Sequence, residues 1–167
     1  MRRVEIEHDL RDALDGDELL VEYQPAFDLR VERICHVEAL VRWRHPTRGV
    51  VGPQKFIPVA EETGLIHRIG ELVLARAVEQ AGRWAHLPEL RVWVNVSPQQ
   101  LADRGFPARL TAQLDRAGLP AHRLGIEVTE SALADCSPAG RFCNGSMTWG
   151  WRSPSTTSEP ATARWPD

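Results

Sequence analysis

Three polar side chains sit where their neighbours are apolar. Glu38 lies in HVEALVRW, Asn95 in VWVNVS and Glu127 in GIEVTE. A carboxylate or amide placed among such neighbours is costly to bury without a partner. Two carboxylates and one amide oxygen are hard oxygen donors, the kind that hold Mg²⁺ or Mn²⁺. Asn95 and Glu127 fall at the ends of successive predicted strands, which would set their oxygens side by side. Plainer readings of each residue stay open at this point. A strand glutamate commonly pairs with an arginine, and Arg42 or Arg44 is at hand for Glu38. An asparagine at a strand end commonly caps the helix that follows.

The surrounding pattern says what must position these residues. A short helix is predicted over His8–Ala13, ended by Asp15-Gly16. Leu19–Gln24 (LLVEYQ) and Ile34–Trp43 (ICHVEALVRW) read as strands, the second apolar at alternate positions. HPTRGVVGP reads as a loop punctuated by Pro and Gly. Phe56–Glu62 is a short helix stopped near Gly64. Ile66, Ile69, Val73, Ala77, Ala81 and Trp84 then recur at helical spacing and define one apolar face. Arg91–Val96 is a strand, Ser97 caps a helix beginning at Pro98, and Pro107–Ala117 is a helix stopped at Gly118. Arg123–Thr129 (RLGIEVT) is a further strand. Strands separated by amphipathic helices predict a parallel α/β fold with a hairpin-like pair at its start. In such folds the strand C-termini and the loops after them form the working face.

Length and charge narrow the function. The 167 residues allow one domain, and a formal net charge of −3 argues against a nucleic-acid binder. No signal peptide and no membrane-length apolar run is present, so the expectation is a cytoplasmic protein that does not insert into membranes. Cys35, Cys136 and Cys143 form no CxxC pair and read as free cytosolic thiols.

With these elements in place, the chain resembles the EAL domain family of bacterial cyclic di-GMP phosphodiesterases. Glu38-Ala39-Leu40 stands in EALVRWRHP, in order with YQPAFDLR, FIPVAEETGLI, NVSPQQL and IEVTES. The resemblance covers about Leu10 to Asp135. It implies a modified triosephosphate-isomerase-type barrel whose first strand is antiparallel. It also implies divalent-metal chemistry, with water attacking one phosphodiester of cyclic di-GMP to give linear pGpG. Carried over by motif, Glu38, Asn95 and Glu127 correspond to metal ligands for Mg²⁺ or Mn²⁺. Gln24, Leu40 and Arg42 correspond to contacts with the dinucleotide, and a guanidinium suits a phosphate. Glu130 corresponds to a residue supporting a catalytic loop, with a helix N-terminal carboxylate as the equal alternative. Homodimerisation and partner signalling domains both stay open.

The resemblance stops abruptly. After IEVTES the family continues to a strand ending in DDFGTGYSSL and then to a lysine strand, and neither is written here. From Cys136 the chain turns to Ser, Thr, Pro and Gly, yet carries Trp149, Trp151 and Trp165. Disordered tails are normally poor in aromatics. A lost base near codon 135 reconciles these facts. Thr156-Thr157-Ser158-Glu159 written ACG ACT TCG GAA, after a Ser155 codon ending in G, reads Asp-Asp-Phe-Gly one base earlier. Continuing through Pro166 gives Thr-Gly-Tyr-Ser-Ser-Leu-Ala. Met147-Thr148 forces Asp and Trp149-Gly150 forces Gly in that frame, whichever codons are used. The expected organisation is therefore a partial EAL domain over 1–135 and an aberrant, disordered, frame-shifted tail over 136–167. Without the aspartate pair and the lysine, the chain as written is expected to be inactive, with non-catalytic dinucleotide binding or a regulatory interaction module as the alternative.

Overall fold

A computed structural model describes residues 3–30 and 32–128. The readings for Thr129, Glu130, Cys136, Cys143 and the tail lie outside the described residues.

Helix α1 (Arg3–Asp15) leads into strands β1 (Leu19–Asp28) and β2 (Arg33–His45). These pair antiparallel, with Gln24 opposite Glu38. A third strand, β3 (Gly49–Val51), folds back on the end of β2. Helices α2 (Pro53–Thr63) and α3 (Ile66–Arg83) then carry the chain to β4 (Arg91–Asn95). Helices α4 (Pro98–Ala102) and α5 (Phe106–Ala117) and a 3₁₀ turn (Ala121–Arg123) lead to β5 (Leu124–Glu127). β4 lies parallel to β2, and β5 parallel to β4. The sheet order β1-β2-β4-β5, with only its first strand antiparallel, is the opening part of a (β/α) barrel.

The two faces of this sheet differ. On β2, Val37, Ala39, Val41 and Trp43 are buried in the core. Val92, Val94, Leu124 and Ile126 join them from β4 and β5. Against that face α3 lays Ile66, Ile69, Val73, Leu74, Ala77, Val78 and Ala81, the periodic stripe expected of an amphipathic helix. Because strand side chains alternate, the residues between these project from the opposite face, which becomes the barrel lumen.

Local chemistry fixes the element ends. Gly64 closes α2 at φ 74°, a left-handed conformation that costs glycine little. Ser97 and Gln100 form a reciprocal capping box: the Gln100 amide N–H donates to Ser97 Oγ (3.3 Å) and the Ser97 N–H to Gln100 Oε1 (3.1 Å). This terminates β4 directly after Asn95. Trp43 is fully buried, packs edge-on against Phe56 at 5.7 Å, and donates Nε1–H to Glu18 Oε2 at 3.0 Å. Burying rings of this kind contributes about 2–3 kcal/mol each. Tyr23 ties β1 to α3 by donating its hydroxyl to the Arg76 carbonyl at 2.9 Å.

Several expected boundaries are revised. HPTRGVVGP is not wholly a loop, because Gly49–Val51 pairs with Trp43–His45. The first helix begins at Arg3 instead of His8, since Ile6 joins Leu10 and Ala13 in the core. The second begins at Pro53 and accommodates Pro58 within it. β1 and β2 both run further than the apolar pattern alone implied. No helix among the described residues is long and apolar enough to cross a membrane.

Candidate functional site

The lumen face gathers the polar residues singled out by their neighbours. Glu38 projects from β2 between core residues Val37 and Ala39. Asn95 ends β4 and is the register partner of Glu127, which ends β5. The three are brought together across adjacent parallel strands. Asn95 Nδ2 donates to Glu38 Oε1 at 2.6 Å, a charge-assisted bond. With Nδ2 engaged, the amide keeps Oδ1 as its acceptor.

The electrostatics of the cluster are unbalanced. Glu127 is half-buried, and its carboxyl is held above the usual glutamate range, first by loss of solvent and then by the charge of Glu38. Among the described residues no ion pair engages Glu38 or Glu127. The arginines at hand do not supply one: Arg42 Nε donates instead to Glu22 Oε2 at 2.8 Å, and Nη1 to the Val41 carbonyl at 3.1 Å. The pairing of Glu38 with Arg42 that the sequence left open is therefore not made. No group of three His, Cys, Asp or Glu gathers as metal ligands among the described residues. The candidate donor set remains two carboxylates and an amide, and its uncompensated charge suits a small divalent cation.

Gln24, Leu40 and Arg42 occupy the same face. Gln24 stands opposite Glu38, and Leu40 and Arg42 follow Glu38 at two-residue spacing on β2. Arg42 thus lies beyond the carboxylates, towards the C-terminal end of the parallel strands. Glu130 lies outside the described residues.

Two residues of this face were not singled out from sequence. Trp93 is almost fully buried, yet it is absent from the helix-side core, because it points into the lumen. Its ring lies 5.5 Å from His36 and so close over Gly125 that a Cβ there would fall 2.5 Å from the indole. In register it stands beside Glu38, and it precedes Asn95 by two residues on β4 as Gly125 precedes Glu127 on β5. Glu22 is the second. Its alternation with Gln24 in LLVEYQ was the available signal, since both must share a face.

The EAL domain model matches residues 7–144. An uncharacterized signaling protein of Caulobacter vibrioides is 46% identical over 131 residues, 78% of this chain and 16% of the relative. The cyclic di-GMP phosphodiesterase NbdA of Pseudomonas aeruginosa is 41% identical over 135 residues, 79% of this chain and 17% of the relative. The solved PaMucR phosphodiesterase in complex with c-di-GMP superposes with a TM-score of 0.76 at 38% identity, covering 81% of this chain and 56% of that one. The chain spans about a sixth of the length of the curated relatives it matches.

Proposed function

The chain belongs to the EAL domain family, and we propose from that membership that its lumen face is a cyclic di-GMP site in which Glu38, Asn95 and Glu127 hold a divalent cation. The observation that carries this reading is the convergence of two carboxylates and an amide, with no arginine or lysine to balance them among the described residues. Mg²⁺ or Mn²⁺ fits that donor set. When bound, such a cation supplies Lewis acidity to phosphoryl oxygens and to an attacking water. The chain's own residues do the rest. Arg42 presents guanidinium N–H groups to a ligand phosphate, while Gln24 and Leu40 supply one polar and one apolar contact beside Glu38. Trp93 excludes water beside Glu38, which strengthens the charge interactions there.

In the lineage the site serves metal-dependent hydrolysis of cyclic di-GMP to linear pGpG. The 167-residue chain itself binds the dinucleotide and does not turn it over at a useful rate. Residues 136–167 do not spell the Asp-Asp motif or the lysine strand in this frame. We read them as the same gene one base out of register, with Glu130 restored to its loop-supporting role once the frame is corrected.

Two experiments test these statements. Purified chain is assayed for binding of cyclic di-GMP and for release of pGpG in Mg²⁺ or Mn²⁺. Separately, the codons from Asp135 to Ser158 are sequenced, and Ser155 to Ser158 must carry the bases that re-read as Asp-Asp-Phe. Other bases there would refute the frame-shifted origin and leave the site reading untouched.

A further inference from the structure

We propose that Glu22 is a positioning residue that clamps the Arg42 guanidinium in the orientation that receives a ligand phosphate. The inference rests on the cyclic di-GMP site proposed above. Both residues project from the lumen face, Glu22 from β1 and Arg42 from β2, and they meet on a diagonal, since Arg42 stands opposite Leu20 and Glu22 opposite Leu40. Arg42 Nε donates to Glu22 Oε2 at 2.8 Å, and Nη1 donates to the Val41 carbonyl at 3.1 Å. Two fixed bonds from one planar group determine its plane. Among the described residues no hydrogen bond engages Nη2, which is the nitrogen left for a ligand.

The exposures assign the roles. The Arg42 side chain is 21% exposed and that of Glu22 is 53% exposed. A carboxylate so open to water contributes little as an ion pair. Its consequence is orientational: an unclamped arginine must give up rotamer freedom when it binds a phosphate. Glu22 spends that freedom in advance. A second possible effect, competition between the carboxylate and the phosphate, has the opposite sign, so the two are separable.

The test is titration of the full chain with cyclic di-GMP in Mg²⁺, comparing Glu22→Ala, Glu22→Gln, Arg42→Lys and the double variant Glu22→Ala/Arg42→Lys. Glu22→Ala should weaken binding by about three- to tenfold. Glu22→Gln should stay near the unaltered chain, because an amide oxygen still accepts from Nε. In the Arg42→Lys background, where no planar fork exists, Glu22→Ala should change little. The clamp is overturned if Glu22→Ala binds as tightly as the unaltered chain or more tightly, which would make Glu22 only a competing charge. It is equally overturned if Glu22→Ala weakens both backgrounds by the same factor, which marks a structural role. Absence of any measurable affinity in the unaltered chain, or affinity indifferent to Arg42→Lys, defeats the site reading itself.

Discussion

Asn95 Nδ2 lies 2.6 Å from Glu38 Oε1, joining β2 to β4 on the lumen face. The amide donates the only hydrogen bond that the Glu38 carboxylate receives from a side chain among the described residues. An amide cannot neutralise a charge, so it steadies the carboxylate without satisfying it. On the proposed reading, a divalent cation would supply the positive charge that the amide cannot.

Replacing this amide by a carboxylate should therefore expose the charge of the cluster. Asn95→Asp removes the donor to Glu38 and adds a third negative group beside Glu127. The chain should lose on the order of 1 kcal/mol at neutral pH. Millimolar Mg²⁺ or mild acid should restore it. Urea melts at neutral and acidic pH, with and without Mg²⁺, read this directly. A variant as stable as the parent in metal-free neutral buffer would remove the electrostatic argument.

Glu127 sets the sign of a pH dependence. Its carboxyl is held above the usual range by burial and by Glu38, so the folded chain binds that proton more tightly than the unfolded chain. The protonated form is the better folded one. Stability should accordingly fall as pH rises from the ordinary glutamate range through the raised value. Glu127→Gln should flatten that segment of the curve, and saturating Mg²⁺ should reduce its slope. Melting temperatures over that window, compared between parent and variant, decide it. A slope unchanged in Glu127→Gln would assign the effect elsewhere.

Arg123 holds the end of α3 to the sheet. It is 5% exposed and donates Nε–H to the Leu90 carbonyl at 2.7 Å and Nη2–H to the carbonyls of Ala81 and Trp84, each at 3.2 Å. Ala81 and Trp84 lie at the C-terminal end of α3, and a cation there meets the negative end of the helix. Arg123→Met should cost roughly 2–4 kcal/mol, a large share of a small domain's stability. Arg123→Lys should recover only part, since an ammonium lacks the fork. Denaturant midpoints at constant slope measure both.

Gly125 is required by Trp93. A Cβ at this position would meet the indole at 2.5 Å, so Gly125→Ala should destabilise the chain by about 1–3 kcal/mol. Trp93→Leu in the same chain should relieve part of that loss by removing the ring. If the two substitutions are simply additive in denaturant melts, the indole does not pack over residue 125 and the contact is wrongly assigned.

How far the chain could be read without coordinates depends on the range of each interaction. Glu38, Asn95 and Glu127 were legible because each breaks an apolar run, a local contrast. The antiparallel start and the parallel strands after it followed from the spacing of strands and amphipathic helices, and the register bears them out. Gly49–Val51 was not legible, because three residues carry too little periodicity and pair only through β2. Nor could α2 be started at Pro53, since HPTRGVVGP read as a loop through that proline, which instead occupies the first turn of the helix, where a missing N–H is tolerated. The Trp93–Gly125 and Glu22–Arg42 contacts join strands distant in sequence, and no single window contains either pair.

Binding of cyclic di-GMP at the acidic cluster of the lumen face is directly measurable. Cyclic di-GMP is titrated calorimetrically into the purified 167-residue chain with and without Mg²⁺, and the same samples are chromatographed for pGpG. The predicted result is Mg²⁺-dependent binding, weakened at least about tenfold by Glu38→Gln and by Glu127→Gln, with no pGpG above the protein-free control. Binding that ignores both substitutions, or no binding at all, would contradict the site. Metal-dependent release of pGpG that Glu38→Ala abolishes would contradict the claim that this chain binds without turning over.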